Sequence, residues 1–154
     1  VTEALPRTLL LVQLGSTLAM VGVIWIVQVV HYPLFAAVGE AAFADYEAAH
    51  TRLITWVVAP LMLAEAGSTL GMALLPDGGG ASAIAPGWER WTGVALLGVI
   101  WGSTALLQVP QHTRLAQGFD LDAHRWLVLT NWLRTGAWTL RGGLVLLWVS
   151  RATG

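Results

Sequence analysis

The chain has 154 residues, 56% of them hydrophobic and 11% charged, with a formal net charge of −1; that apolar share exceeds what an ordinary water-soluble domain carries. It contains no lysine and no cysteine, which excludes a disulfide framework, thiolate metal sites and cysteine catalysis. With no basic patch to meet phosphate, nucleic acid is excluded as a partner.

A bilayer core of ~30 Å is crossed by ~20 apolar helical residues, because backbone groups in lipid must bond within their own segment. Four stretches meet this requirement, and the spans are predicted at about residues 8–30, 51–75, 91–109 and 126–149. The expected fold is all-α: one integral-membrane domain over residues 1–154, built as an antiparallel four-helix bundle with lipid around it. The first stretch begins like a signal peptide, with Arg7 before Leu9, Leu10, Leu11 and Val12. It continues to Val30 without a small-residue cleavage site, so it reads as a retained span.

Along the chain, Gly39 to His50 is rich in Ala and Glu and reads as a short helix leading into the second span. Pro60 is placed to kink that span. The segment from Pro76 to Pro86 reads as a glycine-rich linker. Trp88, Trp91, Trp126 and Trp148 fall at predicted span ends, where an indole buries its ring and keeps its N–H near water. Arginines divide evenly, with Arg7, Arg90 and Arg151 on the terminal side and Arg52, Arg114 and Arg125 on the other. Charge therefore does not orient the chain, and cytoplasmic termini are expected only from the general habit of such proteins.

Ionisable residues within a span are costly and call for a partner or a task. Glu65 lies fifteen residues beyond His50, and Arg141 seventeen beyond His124; starting from one membrane face, both reach a depth of ~22 to 26 Å. A buried Glu65–Arg141 ion pair is expected, with snorkelling of Arg141 to the terminal-side interface as the alternative. Asn131, Arg134, Trp138 and Arg141 recur at helical spacing and define an inward face of the fourth span. Gln28 and Gln108 lie towards the same membrane face and serve either as interhelical hydrogen-bond glue or as part of a site.

All four histidines fall at that face: His31 ends the first span, His50 begins the second, His112 follows the third and His124 precedes the fourth. Glu47 and His50 sit one helical turn apart, a spacing that lets both reach one ion. The expected metal set is His31, Glu47, His50 and His112, with His124 solvated or bonded to a carbonyl. Imidazole plus carboxylate suits Fe, Cu, Zn or Mn without choosing among them. Arg134 and Asn131 are the expected catalytic groups, orienting substrate or an oxygen-derived anion by charge-assisted hydrogen bonds. Gln28, Gln108 and Trp132 are the expected substrate contacts.

The string Gln108-Val109-Pro110-Gln111-His112 with Leu115, followed by Asn131-Trp132-Leu133-Arg134-Thr135, resembles the anthrone-oxygenase-like family of small four-span membrane proteins; Pro33 and Pro60 extend the likeness to the first half. The resemblance implies oxidation of a small hydrophobic, aromatic substrate by dioxygen at polar residues in the bundle mouth. Gln108 and His112 stand where that family has amides in an Asn-Val-Pro-x-Asn-like string, and His31, His50 and the acidic residues Glu40, Asp45 and Glu47 between the first two spans are additions. A weaker likeness is to the small haem-binding membrane protoporphyrinogen oxidase, for which His31 would be the axial residue. The leading expectation is thus a metal-dependent membrane oxidoreductase. The alternatives are a haem-binding protein and a non-enzymatic carrier, binding or scaffold protein, and assembly with copies of itself is left open.

Overall fold

The computed structural model describes residues 4–78 and 80–154 and is all-helical, with no strand among them. Four long helical stretches dominate. α1 is Ala4–Ile26 and continues, with changes of pitch, to Ala37; α2 is Glu40–Ala73; α3 is Gly87–Ser103 and continues to Leu115; α4 is Leu121–Thr153. The stretches Ala4–Ala37, Glu40–Ala73 and Gly87–Leu115 are long and apolar enough to cross a membrane. α4 matches them in length, but Asn131, Arg134 and Arg141 interrupt its apolar run.

Each connection has a local cause. Gly39, at φ 84°, makes the turn into α2 in a conformation that disfavours a side chain. The expected short helix before the second span is the first part of α2 itself, which runs unbroken through Pro60. The glycine-rich linker holds a short helix, Gly80–Ile84, and it is tied down because Asp77 pairs with Arg90. Asp120 caps α4, its carboxylate accepting from the N–H groups of Asp122 and Ala123.

Polarity is distributed inside-out. Large apolar side chains such as Trp56, Leu106 and Leu140 face outwards. Gln13, Thr17, Gln28, Glu65, Thr69, Asn131 and Arg141 are buried among Met20, Ile24, Ile100 and Trp138. The stripe Asn131, Arg134, Trp138, Arg141 faces inwards along its whole length. Trp88, Trp91 and Trp126 are exposed as expected of interface residues, but Trp148 is not: it is buried and its indole N–H donates to Glu89 at 2.7 Å.

Glu65 anchors the middle. Arg141 Nε donates to its Oε1 at 2.8 Å, Thr17 donates to the same oxygen at 2.9 Å, and the Trp138 indole donates to Oε2 at 2.9 Å. Arg141 also donates to Thr69 at 2.7 Å and to the Gly93 carbonyl at 2.5 Å. A Cβ at Gly93 would sit in van der Waals contact with this guanidinium and the Trp148 ring. Arg141 therefore pairs inside the bundle instead of snorkelling. α1 packs on α2 and α4, and α3 packs on α4. The α2–α3 edge is the loosest, and a cavity opens there.

Candidate functional site at the bundle mouth

Two prolines shape the mouth. Pro33 and Pro110 each lack an N–H and crowd the carbonyl four residues back, and each comes two residues after a widened π-helical turn, Val27–His31 and Thr104–Gln108. In these turns the Tyr32 N–H bonds to the Val27 carbonyl and the Val109 N–H to the Thr104 carbonyl. The added residue rotates the helix beyond it; Tyr32, which follows the first turn, and Gln108, which ends the second, are both buried, and such bulges often accompany functional sites.

The side chains delivered there form a relay. Glu47 is fully buried, and its Oε1 lies 2.5 Å from His112 Nδ1. The carboxylate fixes the tautomer, so that Nδ1–H donates to Glu47 and Nε2 is left to accept. That Nε2 accepts from the Tyr32 hydroxyl at 3.0 Å. A second pair lies alongside, with His31 Nε2 and His50 Nδ1 2.9 Å apart. Phe35 and Tyr46 pack against the His31 and His50 rings, and Phe43 and Phe119 back them.

Behind the relay is a cavity of about 480 Å³, within the range of small-molecule sites. Its wall is largely apolar, including Val23, Ile24, Ile54 and Val58, and its polar end is Tyr32, His50, Gln108, His112 and Arg134. Arg134 is held by Asn131, whose Oδ1 accepts from Nη1 at 3.1 Å, and its guanidinium lies 5.2 Å over the Trp138 ring.

Not every expected contact reaches this space. Gln28 is absent from the cavity wall: it donates to the Val128 carbonyl at 3.1 Å and accepts from Asn131 Nδ2 at 2.9 Å, which is the interhelical glue its depth allows. Asn131 itself lies behind Arg134 and positions it. Trp132 is half-exposed, meeting Trp25 edge-on at 5.8 Å, and lines a shallow outer hollow with Pro33 and Leu129. Of the three expected substrate contacts only Gln108 lines the cavity. His124 bonds the Tyr32 carbonyl at 2.8 Å, the carbonyl contact expected for it.

The expected metal set meets, but as hydrogen-bonded pairs. His112 spends both ring nitrogens on Glu47 and Tyr32, and His31 and His50 turn nitrogens towards each other. Among the described residues no three His, Asp or Glu side chains are disposed to hold one ion. The donor set as folded does not fit a metal. His31, the expected axial residue for a haem, is not among the residues of the cavity wall.

No family model, curated protein or solved structure matches the chain.

Sequence reasoning missed Tyr32, the residue that links His112 to the cavity. Its one signal was adjacency to His31 and Pro33 at the end of a span.

Proposed function

We propose that the protein is a four-span membrane oxidoreductase that oxidises a small apolar substrate in the mouth cavity, with dioxygen as oxidant. The inside-out polarity supports the membrane reading, since buried Gln, Glu and Arg beneath an apolar exterior suit lipid better than water. α4 is then a fourth span whose mid-helix Arg134 and Arg141 are covered by its neighbours. The oxygenase reading draws on the resemblance carried by residues 108–115 and 131–135.

One observation carries the chemistry: the Glu47–His112–Tyr32 relay ends in a cavity wall that also holds Arg134. A carboxylate behind an imidazole steadies the cation formed when the ring takes a proton. Tyr32 passes the substrate's proton to His112 Nε2, and Arg134 orients the substrate through a charge-assisted hydrogen bond. An electron-rich carbanion so formed reacts with dioxygen directly: a CH2 group becomes C=O, one oxygen atom stays on carbon and the other leaves as water. The residues named here need no metal for these steps.

Oxygen consumption by protein in lipid nanodiscs, with anthrone as the probe, tests this reading. Uptake should be at least about a hundredfold above that of His112→Asn, the scale of one general base. Equal rates in parent and variant would leave a binding or scaffold protein whose polar residues only tie helices together.

A further inference from the structure

Among the described residues the buried arginines each have a carboxylate partner, with a single exception at the cavity. Buried Arg141 meets Glu65 at 2.8 Å and buried Arg90 pairs with Asp77; near the end of α4 the exposed Arg151 covers buried Glu89 at 2.7 Å. Arg134 is 7% exposed, yet among the described residues no carboxylate lies within ion-pair distance of it. Its Nη1 donates to a neutral amide, and its Nε has no hydrogen-bond partner. Glu47 is committed to His112, and the Tyr32 hydroxyl beside Arg134 is neutral and brings no balancing charge. A buried guanidinium left in this state is costly, and it is retained here in the wall of a mostly apolar cavity.

We propose that the cavity binds an apolar carboxylic acid, with its carboxylate on Arg134 and its hydrocarbon part along Val23, Ile24, Ile54 and Val58. The planar guanidinium matches a carboxylate in shape and in charge. A neutral alcohol or phenol leaves the arginine uncompensated, and a phosphate brings more charge than one cation balances. This assignment rests on the cavity being the substrate site. It makes Arg134 the anchor that holds the reacting carbon against Tyr32.

Binding tests it without turnover. Protein in phosphatidylcholine nanodiscs is titrated with naphthalene-2-carboxylate, naphthalene-2-methanol and naphthalene-2-methylamine, and apparent affinities are read from shifts in the thermal midpoint by circular dichroism. The carboxylate should bind about tenfold or more tighter than the alcohol, as one charge-assisted hydrogen bond provides, and the amine weakest. Arg134→Gln should bring carboxylate and alcohol within about twofold, and Arg134→Lys should keep the order at reduced affinity. Thr55→Trp, which fills the cavity from its α2 wall, should abolish binding of all three.

An alcohol binding the parent as tightly as the carboxylate overturns the carboxylate assignment and leaves the cavity as a substrate site. Failure of all three probes to bind the parent overturns both. The parent and Arg134→Lys decide the matter even if Arg134→Gln does not fold.

Discussion

Glu47 Oε1 and His112 Nδ1 meet at 2.5 Å although sixty-five residues separate them in the chain. The contact joins α2 to the continuation of α3 across the loosest edge of the fold, beside the cavity. Because Glu47 is fully buried, the carboxylate cannot exchange this partner for water. In protein labelled with 15N-histidine, the His112 Nδ1 proton should therefore resonate far downfield and be protected from exchange. Glu47→Gln should remove that signal and cost about 1–3 kcal/mol, the usual range for a lost buried hydrogen bond. An unchanged Nδ1 resonance in the variant would mean that Glu47 does not set the tautomer.

Glu65 and Arg141 lead to a double-mutant prediction. Glu65→Ala strands a buried guanidinium and should lower stability by about 3–5 kcal/mol, measured by thermal and denaturant unfolding in detergent. Adding Arg141→Met removes the stranded charge and should recover part of the loss. Recovery is incomplete because Thr17 and Trp138 also donate to Glu65. If the double variant is no more stable than Glu65→Ala, the two charges are not coupled.

Much of this architecture is legible in the sequence because a membrane span converts residue number into depth. Counting from His50 and His124 brings Glu65 and Arg141 to one level, and they meet there. The same counting places four histidines at one face and an inward stripe from Asn131 to Arg141. Depth does not give rotation about the helix axis, and rotation decides which side chains reach the cavity. The widened turn before Pro33 shifts the register of the residues beyond it, so Tyr32 enters the relay, while Trp132 stays outside because it lies on the outer side of the regular helix α4. Nor does proximity give stoichiometry. Three imidazoles and a carboxylate at one level can converge on an ion or satisfy one another, and pairing of the ring nitrogens depends on side-chain angles that spacing does not encode.

Asp120 predicts a pH dependence at the start of α4. The Ala123 N–H, and then Arg114 at 2.6 Å, hold its carboxyl below its ordinary value of 3.8. A carboxyl with a depressed folded value contributes stability that is complete above the unfolded value and is lost as pH falls through the folded one. The first turn of α4 should thus stay closed down to about pH 4 and open below it. Hydrogen exchange at Asp122 and Ala123, monitored from pH 6 to pH 3, reads this directly. Asp120→Ala should show fast exchange at every pH; protection that persists in that variant would remove the cap from the account.

The four-span reading makes a sharper claim than the helices alone, because α4 must cross lipid while carrying Arg134 and Arg141. If it does, Ala83 and Thr153 share one membrane face, and Ala41 and Gln117 share the other. The chain has no native cysteine, so each position can be replaced singly by cysteine and probed with a membrane-impermeant maleimide on sealed vesicles. All four residues are exposed, which keeps the substitutions mild. Labelling should divide the positions two against two, with Thr153→Cys behaving as Ala83→Cys does. Were α4 to lie along the surface instead, Thr153→Cys would react together with Gln117→Cys. The burial of Arg141 against Glu65 would then need an explanation in water, where a pair with 2% and 0% side-chain exposure gains little over well-packed apolar side chains.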